Sequence, residues 1–236
     1  MKRKHTLSVI NIFFLLVLVS LNGCLVDIPN TRPEGPSNIV YGKVLNTETK
    51  APVRNAVISD GFSTNLSNDE GYYRFKTYPG ATHVFISVPE EFEIPMKNGM
   101  PQIFNQIDLE KDSVQINFNL KPLINGAEEE FTLIAIGDPQ VQNANHLRRL
   151  NNETIPDIIN RVEDHSNIYG LTLGDLAFDS LRLYSDLKQS FISTNIPFFH
   201  TIGNHDFSAV VYDPVEASKE FVSHFGPLDY SFNRGN

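Results

Sequence analysis

The chain has 236 residues, enough for one large or two modest domains. Its formal charge is −9 and its isoelectric point is near 5.2. This balance argues against a general nucleic-acid binder, because phosphate backbones attract Lys and Arg, whereas clustered acidic side chains suit divalent cations. The single cysteine excludes a disulfide within the chain.

Residues 1–23 are predicted to be an export signal. Lys2, Arg3 and Lys4 precede an apolar run at residues 7–21, and Gly23 stands directly before Cys24. This order resembles a bacterial lipobox, which implies cleavage before Cys24, lipidation of its thiol, and attachment to a cell envelope membrane facing the periplasm or the cell exterior. The alternative is a plain transmembrane anchor, but this apolar run is shorter than the roughly 20 residues that a helix needs to cross a membrane.

Residues 24–36 contain three prolines and are predicted to tether a folded domain to that membrane. A β-sandwich domain is then predicted at residues 37–122. Its short strands are separated by turn clusters and favour an antiparallel sandwich. The predicted strands are residues 39–45, 52–58, 71–75, 83–88 and 113–120.

The stretch G-K-V-L…P-V-R-N-A-V-I-S-D-G…S-N-D-E-G-Y-Y-R-F carries a family resemblance. It resembles the small carboxypeptidase-regulatory-like β-sandwich domains, and most of all the version fused ahead of calcineurin-like phosphoesterases in bacterial surface proteins. Such a likeness implies a fold and no chemistry by itself.

From residue 131 the hydrophobic period changes, and strands alternate with helices. A short linker at residues 121–130 leads into this second region. The alternation indicates parallel βαβ units, so the predicted fold class is α/β behind a β-sandwich. The predicted strands are residues 131–136, 168–173 and 197–202, and the predicted helices are residues 146–165, 181–194 and 215–225.

Each of these three strands ends in a glycine followed by an oxygen ligand. The segments are Gly137-Asp138-Pro139-Gln140, Gly174-Asp175 and Gly203-Asn204-His205-Asp206. Ligands bind beyond the carboxyl ends of parallel strands, and carboxylate and amide oxygens suit divalent metals. We therefore expect these side chains to gather at one sheet edge and Asp175, from the middle strand, to bridge two cations.

The two residues after Asn204 are candidate catalytic groups. Two bridged cations are an arrangement used for phosphoryl hydrolysis. In such a reaction His205 is expected to reach the phosphate or the leaving group of the substrate, and Asp206 is expected to orient the His205 imidazole. Each residue taken alone also has a structural interpretation. Gly-Asp after a strand is a common turn, and Asn or Asp often caps a helix. The three segments together favour the metal site.

These segments resemble the calcineurin-like metallophosphoesterase family, whose pattern runs D-x-H, G-D-x-x-D or N, G-N-H-D or E, a lone His, and G-H-x-H. The segment F-V-S-H-F-G-P-L-D-Y-S-F at residues 221–232 is similar to the one that follows G-N-H-D in that family. The resemblance implies an α/β/β/α fold, of which residues 130–236 would be the N-terminal half. It also implies two divalent metal ions (Mn, Fe or Zn) and hydrolysis of phosphate mono- or diesters.

The resemblance also assigns roles to individual residues. Asp138 would bind the first metal, Asp175 would bridge, and Asn204 would bind the second metal. His205 would be the acid that contacts the phosphate. Gln140 stands where the family has His, and its amide oxygen remains a possible ligand.

The chain also departs from the family pattern. Asp179 follows Asp175 one residue later than usual, and supporting and turn roles both stay open for it. The lone His and the G-H-x-H pair do not occur before residue 236, so we expect a truncated phosphoesterase with little or no activity. The other histidines of the two predicted domains are not expected to replace them; these are His83, His146, His165, His200 and His224.

A second function from another class stays open. The mature protein would be a lipid-anchored binding or scaffold module on the cell surface, with a vestigial hydrolase domain. Its sandwich would contact carbohydrate or protein. The substrate expected under the first hypothesis is a phosphorylated small molecule or another phosphoester, and nothing in the sequence specifies it further.

Overall fold

The computed structural model describes residues 35–235. The predicted signal peptide, Cys24 and nearly all of the tether lie outside this range. The described residues belong to one compact unit, Arg32–Asn236. Within them, no helix has both the length and the apolarity that crossing a bilayer requires.

The first sheet of the N-terminal region is built around β1 (Ile39–Asn46). This strand pairs antiparallel with β4 (Tyr72–Lys76) and parallel with both β9 (Ser113–Gln115) and β10 (Phe118–Leu120). The prediction of a purely antiparallel sandwich is therefore wrong for this sheet, which is mixed.

The predicted strand at residues 113–120 is divided in two. The break lies opposite Gly42 of β1, where an added Cβ would stand 1.7 Å from the Ile116 carbonyl oxygen. The chain at Ile116 thus passes closer to β1 than any residue with a side chain at position 42 would allow.

The second sheet has the order β3 (Thr64–Leu66), β2 (Val57–Ser59), β5 (His83–Ser87), β8 (Phe104–Gln106), and all its pairs are antiparallel. The strand predicted at residues 52–58 is shorter than expected. Pro52 forms only an isolated bridge, and Asn55 has φ 57°, a left-handed conformation that interrupts a strand. A small hairpin, β6 (Met96–Lys97) and β7 (Met100–Pro101), was not predicted.

The α/β region has three parallel strands in the order β11 (Thr132–Ile136), β12 (Ile168–Leu173), β13 (Phe198–Thr201). The parallel arrangement of β11 to β13 with intervening helices is the one that the sequence predicts. The helices are α1 (Ala144–Arg149), α2 (Ile155–Arg161), α3 (Tyr184–Ile192), α4 (Pro214–Ala217) and α5 (Lys219–Phe225).

Local residues explain how these helices begin and break. Asn143 caps α1, because its side-chain oxygen accepts the backbone N–H groups of Asn145 and His146. A π-helical turn, Leu150–Thr154, separates α1 from α2 just before Pro156, which has no N–H to continue the regular pattern. The helix predicted at residues 215–225 is two helices, divided at Ser218.

The β-sandwich and the parallel sheet share one hydrophobic core. Tyr169 of β12 and Phe199 of β13 pack into the sandwich cluster that contains Val40, Ile58 and Ile86. Near the end of the chain, Phe232 stacks on Phe199 with ring centroids 4.1 Å apart. The far side of the parallel sheet has its own core, formed by fully buried side chains of which the largest are Leu176, Tyr184, Leu187, Phe191, Phe198 and Phe221.

His200 is a buried histidine in the middle of β13. Its Nδ1 lies 3.0 Å from the Thr172 hydroxyl, and its Nε2 has no hydrogen-bond partner among residues 35–235. The rings of Phe191 and Phe225 pack against it with centroids 5.0 Å and 4.7 Å away. Burial lowers the pKa of His200 to about 3, so the folded protein holds the neutral imidazole.

We therefore expect acid to destabilise the fold through His200. Below pH 6.5 the imidazole of His200 is protonated in the unfolded state, whereas in the folded state it stays neutral down to about pH 3. The stability that the neutral imidazole contributes is therefore complete above pH 6.5 and is lost as the pH falls. The expected loss between pH 6.5 and 5 is about 2 kcal/mol. Urea unfolding across this range should give a flatter pH dependence for His200→Phe than for the wild type. Parallel curves would contradict the prediction. His83 stays in both proteins, so its own titration cancels.

Candidate metal centre

Three loops meet at the carboxyl edge of the parallel sheet. They are residues 137–140 after β11, residues 174–180 after β12 and residues 202–206 after β13. The register pairs Ile136 with Thr172, and Leu173 with Thr201, so the strands end side by side. The predicted ligands Asp138, Asp175 and Asn204 each occupy one of these loops.

Asp175 is the residue on which the other two loops converge. Its carboxylate is 6% exposed and accepts the backbone N–H of His205 at 2.9 Å and the Gln140 side-chain amide at 3.3 Å. Its carbonyl oxygen accepts the backbone N–H of Gln140 at 2.8 Å. Gly203 is required beside it, because an added Cβ would lie 2.1 Å from Asp175 Oδ1.

The backbone of these loops is strained at several non-glycine residues. Asp138 (φ 45°), Gln140 (φ 44°), Asp175 (φ 49°) and Asp179 (φ 53°) adopt left-handed conformations. Such a conformation costs of order 1 kcal/mol per residue and concentrates at ligand sites and tight turns. Three of the four predicted ligands therefore have a left-handed backbone, and Asn204 does not.

His205 is oriented by Asp179, which sequence reasoning left open between a supporting and a turn role. The imidazole Nδ1 lies 3.0 Å from Asp179 Oδ1, and the ring stacks on Phe178 with centroids 4.0 Å apart. The hydrogen bond to Asp179 raises the pKa of His205, and the charges of Asp179 and Asp175 act in the same direction. The proton on this imidazole is therefore held more tightly than on a free histidine.

Asp206 has a different place from the one expected. It is fully buried, and its carboxylate accepts the backbone N–H groups of Leu176, Ala177 and Gly203 and the Tyr184 hydroxyl, all within 3.1 Å. Burial raises the pKa of Asp206, and these donors oppose the rise. The expectation that Asp206 orients His205 is therefore wrong. The Asp206 carboxylate acts as a clamp that holds the third loop against the second through its hydrogen bonds, and Asp179 is the residue that contacts the His205 imidazole.

The remaining predicted ligands face solvent. Asp138 and Asn204 are exposed, and neither side chain forms a hydrogen bond within residues 35–235. No cluster of three or more His, Cys, Asp or Glu residues that could hold a metal is present in that range. The available donors are carboxylate and amide oxygens, a set that fits a hard cation such as Mn²⁺ or Mg²⁺ better than Zn²⁺.

Among residues 35–235, none of the other histidine side chains forms a hydrogen bond with these loops. His83 is in β5, His146 is in α1, His165 follows α2, and His224 is in α5 beside Glu220. Sequence reasoning did not find Phe178 and Tyr184 as parts of the site. Phe178 lies in sequence between Asp175 and Asp179. This position within the predicted site segment could have indicated that Phe178 belongs to the site. Tyr184 has no local signal, since its role depends on tertiary packing.

Replacing Asp179 with asparagine should lower the pKa of His205, because the carboxylate that stabilises the imidazolium is removed. An NMR pH titration of the imidazole would measure the shift. Any metal-dependent hydrolysis should fall about 10- to 100-fold, the usual effect of losing a partner that orients a functional group. Asp164→Asn, at an exposed position after α2, is the matched control. An unchanged pKa of His205 in D179N would contradict the contact.

Comparison with known proteins identifies the N-terminal region. Residues 38–123 match the family model described as N terminal of Calcineurin-like phosphoesterase. This segment contains β1 to β10 and ends before the loops described above. No curated protein matches the chain.

Among solved structures, the crystal structure of BcpA, the major pilin subunit of Bacillus cereus, is similar to part of the chain. The sequence identity is 13%, the TM-score is 0.26, and the match covers 37% of this chain and 30% of that pilin. The chain thus spans less than a third of this pilin structure.

Proposed function

We propose that the protein is a metal-dependent phosphoesterase that hydrolyses phosphate mono- or diesters. The observation that carries this proposal is the convergence of three loops on Asp175 at the carboxyl edge of a parallel sheet. The match of residues 38–123 to the N-terminal domain of calcineurin-like phosphoesterases supports it, because that domain precedes a hydrolase in the family resembled.

Asp138, Gln140, Asp175 and Asn204 would hold two divalent cations. Asp175 belongs to the middle loop, and its carboxylate contacts the Gln140 side chain of the first loop and the His205 backbone of the third, which supports a bridging role for it. When bound, such cations lower the pKa of a water molecule and neutralise the charge of phosphate oxygens.

His205 supplies the proton chemistry. Its raised pKa increases the protonated fraction near neutral pH, and the Asp179 contact on Nδ1 leaves Nε2 to donate to a phosphate or leaving-group oxygen. Stacking on Phe178 fixes the plane of the ring. The N–H of His205 donates to Asp175 Oδ1, so the acid and the central carboxylate are held in one geometry.

Two measurements test the proposal. Calorimetric titration with Mn²⁺ should show binding, since the loops that carry the proposed oxygen donors meet at Asp175. Hydrolysis of bis(4-nitrophenyl) phosphate and of 4-nitrophenyl phosphate with Mn²⁺ then separates a diesterase from a monoesterase. Absence of heat at millimolar Mn²⁺ would overturn the metal site and favour the surface-binding module as the function.

We further infer that the protein is exported and attached to a bacterial cell envelope membrane through a lipid on Cys24. The order of charged residues, apolar run, glycine and cysteine at residues 2–24 supports this inference. The variant Cys24→Ser should move the protein from the membrane fraction to the soluble fraction, because the only thiol is removed. Ser20→Ala is the control in the same segment. An unchanged distribution of C24S would contradict lipidation.

A further inference from the structure

A groove of about 770 Å³ lies between the β-sandwich and the helices that follow β12 and β13. One wall is formed by the start of β5, the β6–β7 hairpin and β8. The other is formed by α3 and α5. None of the residues of the candidate metal centre lines it. Its volume is within the range of small-ligand sites, which is roughly 300–1,000 Å³.

Two glycines hold the walls of this groove together. Gly226, at the end of α5, has φ 102°, and an added Cβ would stand 2.4 Å from the ring of Phe104 in β8. Gly99, in the β6–β7 turn, has φ 79°, and an added Cβ would stand 2.7 Å from the Ile192 side chain at the end of α3. The backbone contacts at both ends mean that the groove is preformed.

The groove is basic although the chain as a whole carries a charge of −9. Its lining includes Lys97, Lys188 and Lys219 and contains no Asp or Glu. Lys219 pairs with Glu216 at 2.6 Å, and Lys188 donates to the His224 carbonyl oxygen at 3.0 Å. Within the described range, neither Lys97 nor Lys188 has a carboxylate partner within 4.0 Å.

Two histidines in the lining add little positive charge. Burial lowers the pKa of His83 to about 4, so its imidazole is neutral at neutral pH. His224 lies 3.3 Å from Glu220, which offsets any charge on that ring. The attraction for anions therefore comes from Lys97 and Lys188.

The uncharged part of the lining suits hydroxyl groups. The side-chain amides of Asn98, Asn105 and Gln106 form no hydrogen bond with any residue from 35 to 235. Each amide both donates and accepts, as hydroxyl recognition requires. Met100, Pro101 and Phe225 give the groove an apolar floor. The lining has no arginine, the residue that usually grips a phosphate through two parallel bonds.

We infer that this groove binds an acidic oligosaccharide, a carbohydrate that bears carboxylate groups. The carboxylates are attracted by Lys97 and Lys188, and the hydroxyls bond to the free amides. The C–H faces of the sugar rings cover the apolar floor. This function is separate from hydrolysis and does not require a metal ion.

Calorimetry on the full chain with three uronate-containing probes tests the inference: trigalacturonate, a mannuronate trimer and a hyaluronan tetrasaccharide. We expect at least one to bind with a dissociation constant below ~1 mM, and neutral maltotriose to bind at least ~10-fold more weakly. Affinity should fall as salt rises. The double variant Lys97→Gln/Lys188→Met should lose at least ~10-fold in affinity, whereas Lys43→Gln, on β1 of the other sheet, should lose none.

Three outcomes would overturn the inference. One is no binding of any uronate probe up to ~5 mM. Another is that charge has no effect on affinity, seen either as equal binding of neutral and acidic sugars or as equal affinity of the double variant and the wild type. The third is displacement of the sugar by an equal concentration of inorganic phosphate, which would indicate a simple anion site. Mn²⁺ binding reports separately on the proposed hydrolase function.

Discussion

The variant Asp175→Ala is expected to weaken Mn²⁺ binding by about 100-fold or more, and to abolish any Mn²⁺-dependent hydrolysis. The carboxylate lies between the first and third loops, and its two oxygens fix the amide of Gln140 and the backbone of His205. Its removal therefore takes away a central donor and frees two neighbours at once, a larger effect than the 10- to 100-fold loss typical of a supporting residue. Calorimetric titration with Mn²⁺ measures it.

Two variants separate loss of the ligand from loss of the fold. Asp175→Asn keeps the size of the side chain and one accepting oxygen, so it should bind Mn²⁺ more weakly than the wild type while retaining the unfolding midpoint. Asp164→Ala removes an exposed carboxylate elsewhere and should bind Mn²⁺ normally. If Asp175→Ala binds Mn²⁺ as well as the wild type does, the ligand assignment fails.

The variant Asp206→Ala is expected to lower the free energy of unfolding by about 4 kcal/mol. The substitution removes four hydrogen bonds to a fully buried carboxylate and leaves three backbone N–H groups without an acceptor, whereas the Tyr184 hydroxyl keeps the Asp206 carbonyl oxygen 3.0 Å away. Each buried donor without a partner costs about 1–3 kcal/mol, and partial rearrangement reduces the sum. Urea unfolding followed by circular dichroism measures the change.

Tyr184→Phe removes only one of those four bonds, so it should cost about 1 kcal/mol. A large loss of stability in Asp206→Ala together with a small loss in Tyr184→Phe would show that the hydrogen bonds of the Asp206 carboxylate, and not side-chain packing in general, hold the loops together. A loss below about 1 kcal/mol for Asp206→Ala would mean that the loops do not depend on the clamp.

The architecture could be predicted from the sequence wherever apolar residues recur at a simple spacing or form a short run. The strands β1 and β4 follow alternating apolar positions, β5 contains a short apolar run, and the three parallel strands are apolar runs followed by glycine. Pairing partners were harder, because β9 and β10 reach β1 only through long-range contacts that no local period encodes. The β6–β7 hairpin did have a signal, Asn98-Gly99, which is typical of a type I′ turn.

The placement of the site segments was predictable in one respect. The carboxyl ends of parallel strands share an edge, so Asp138, Asp175 and Asn204 follow neighbouring strands. The partner of His205 was not predictable, since it depends on the left-handed backbone of Asp179, which turns that carboxylate toward the ring. Adjacency in sequence suggested Asp206, but burial and four donors direct that side chain elsewhere.

The packing of Tyr169 and Phe199 into the sandwich core links the sheet edge that carries the candidate metal centre to the N-terminal region. These residues belong to β12 and β13, whose ends carry Asp175 and Asn204. Opening the parallel sheet would expose aromatic surface that the sandwich covers, so we expect the two halves to unfold in one melting transition. We therefore expect the N-terminal region to act as a folding partner of the parallel strands, so that a destabilising substitution in either half lowers the folded population of both.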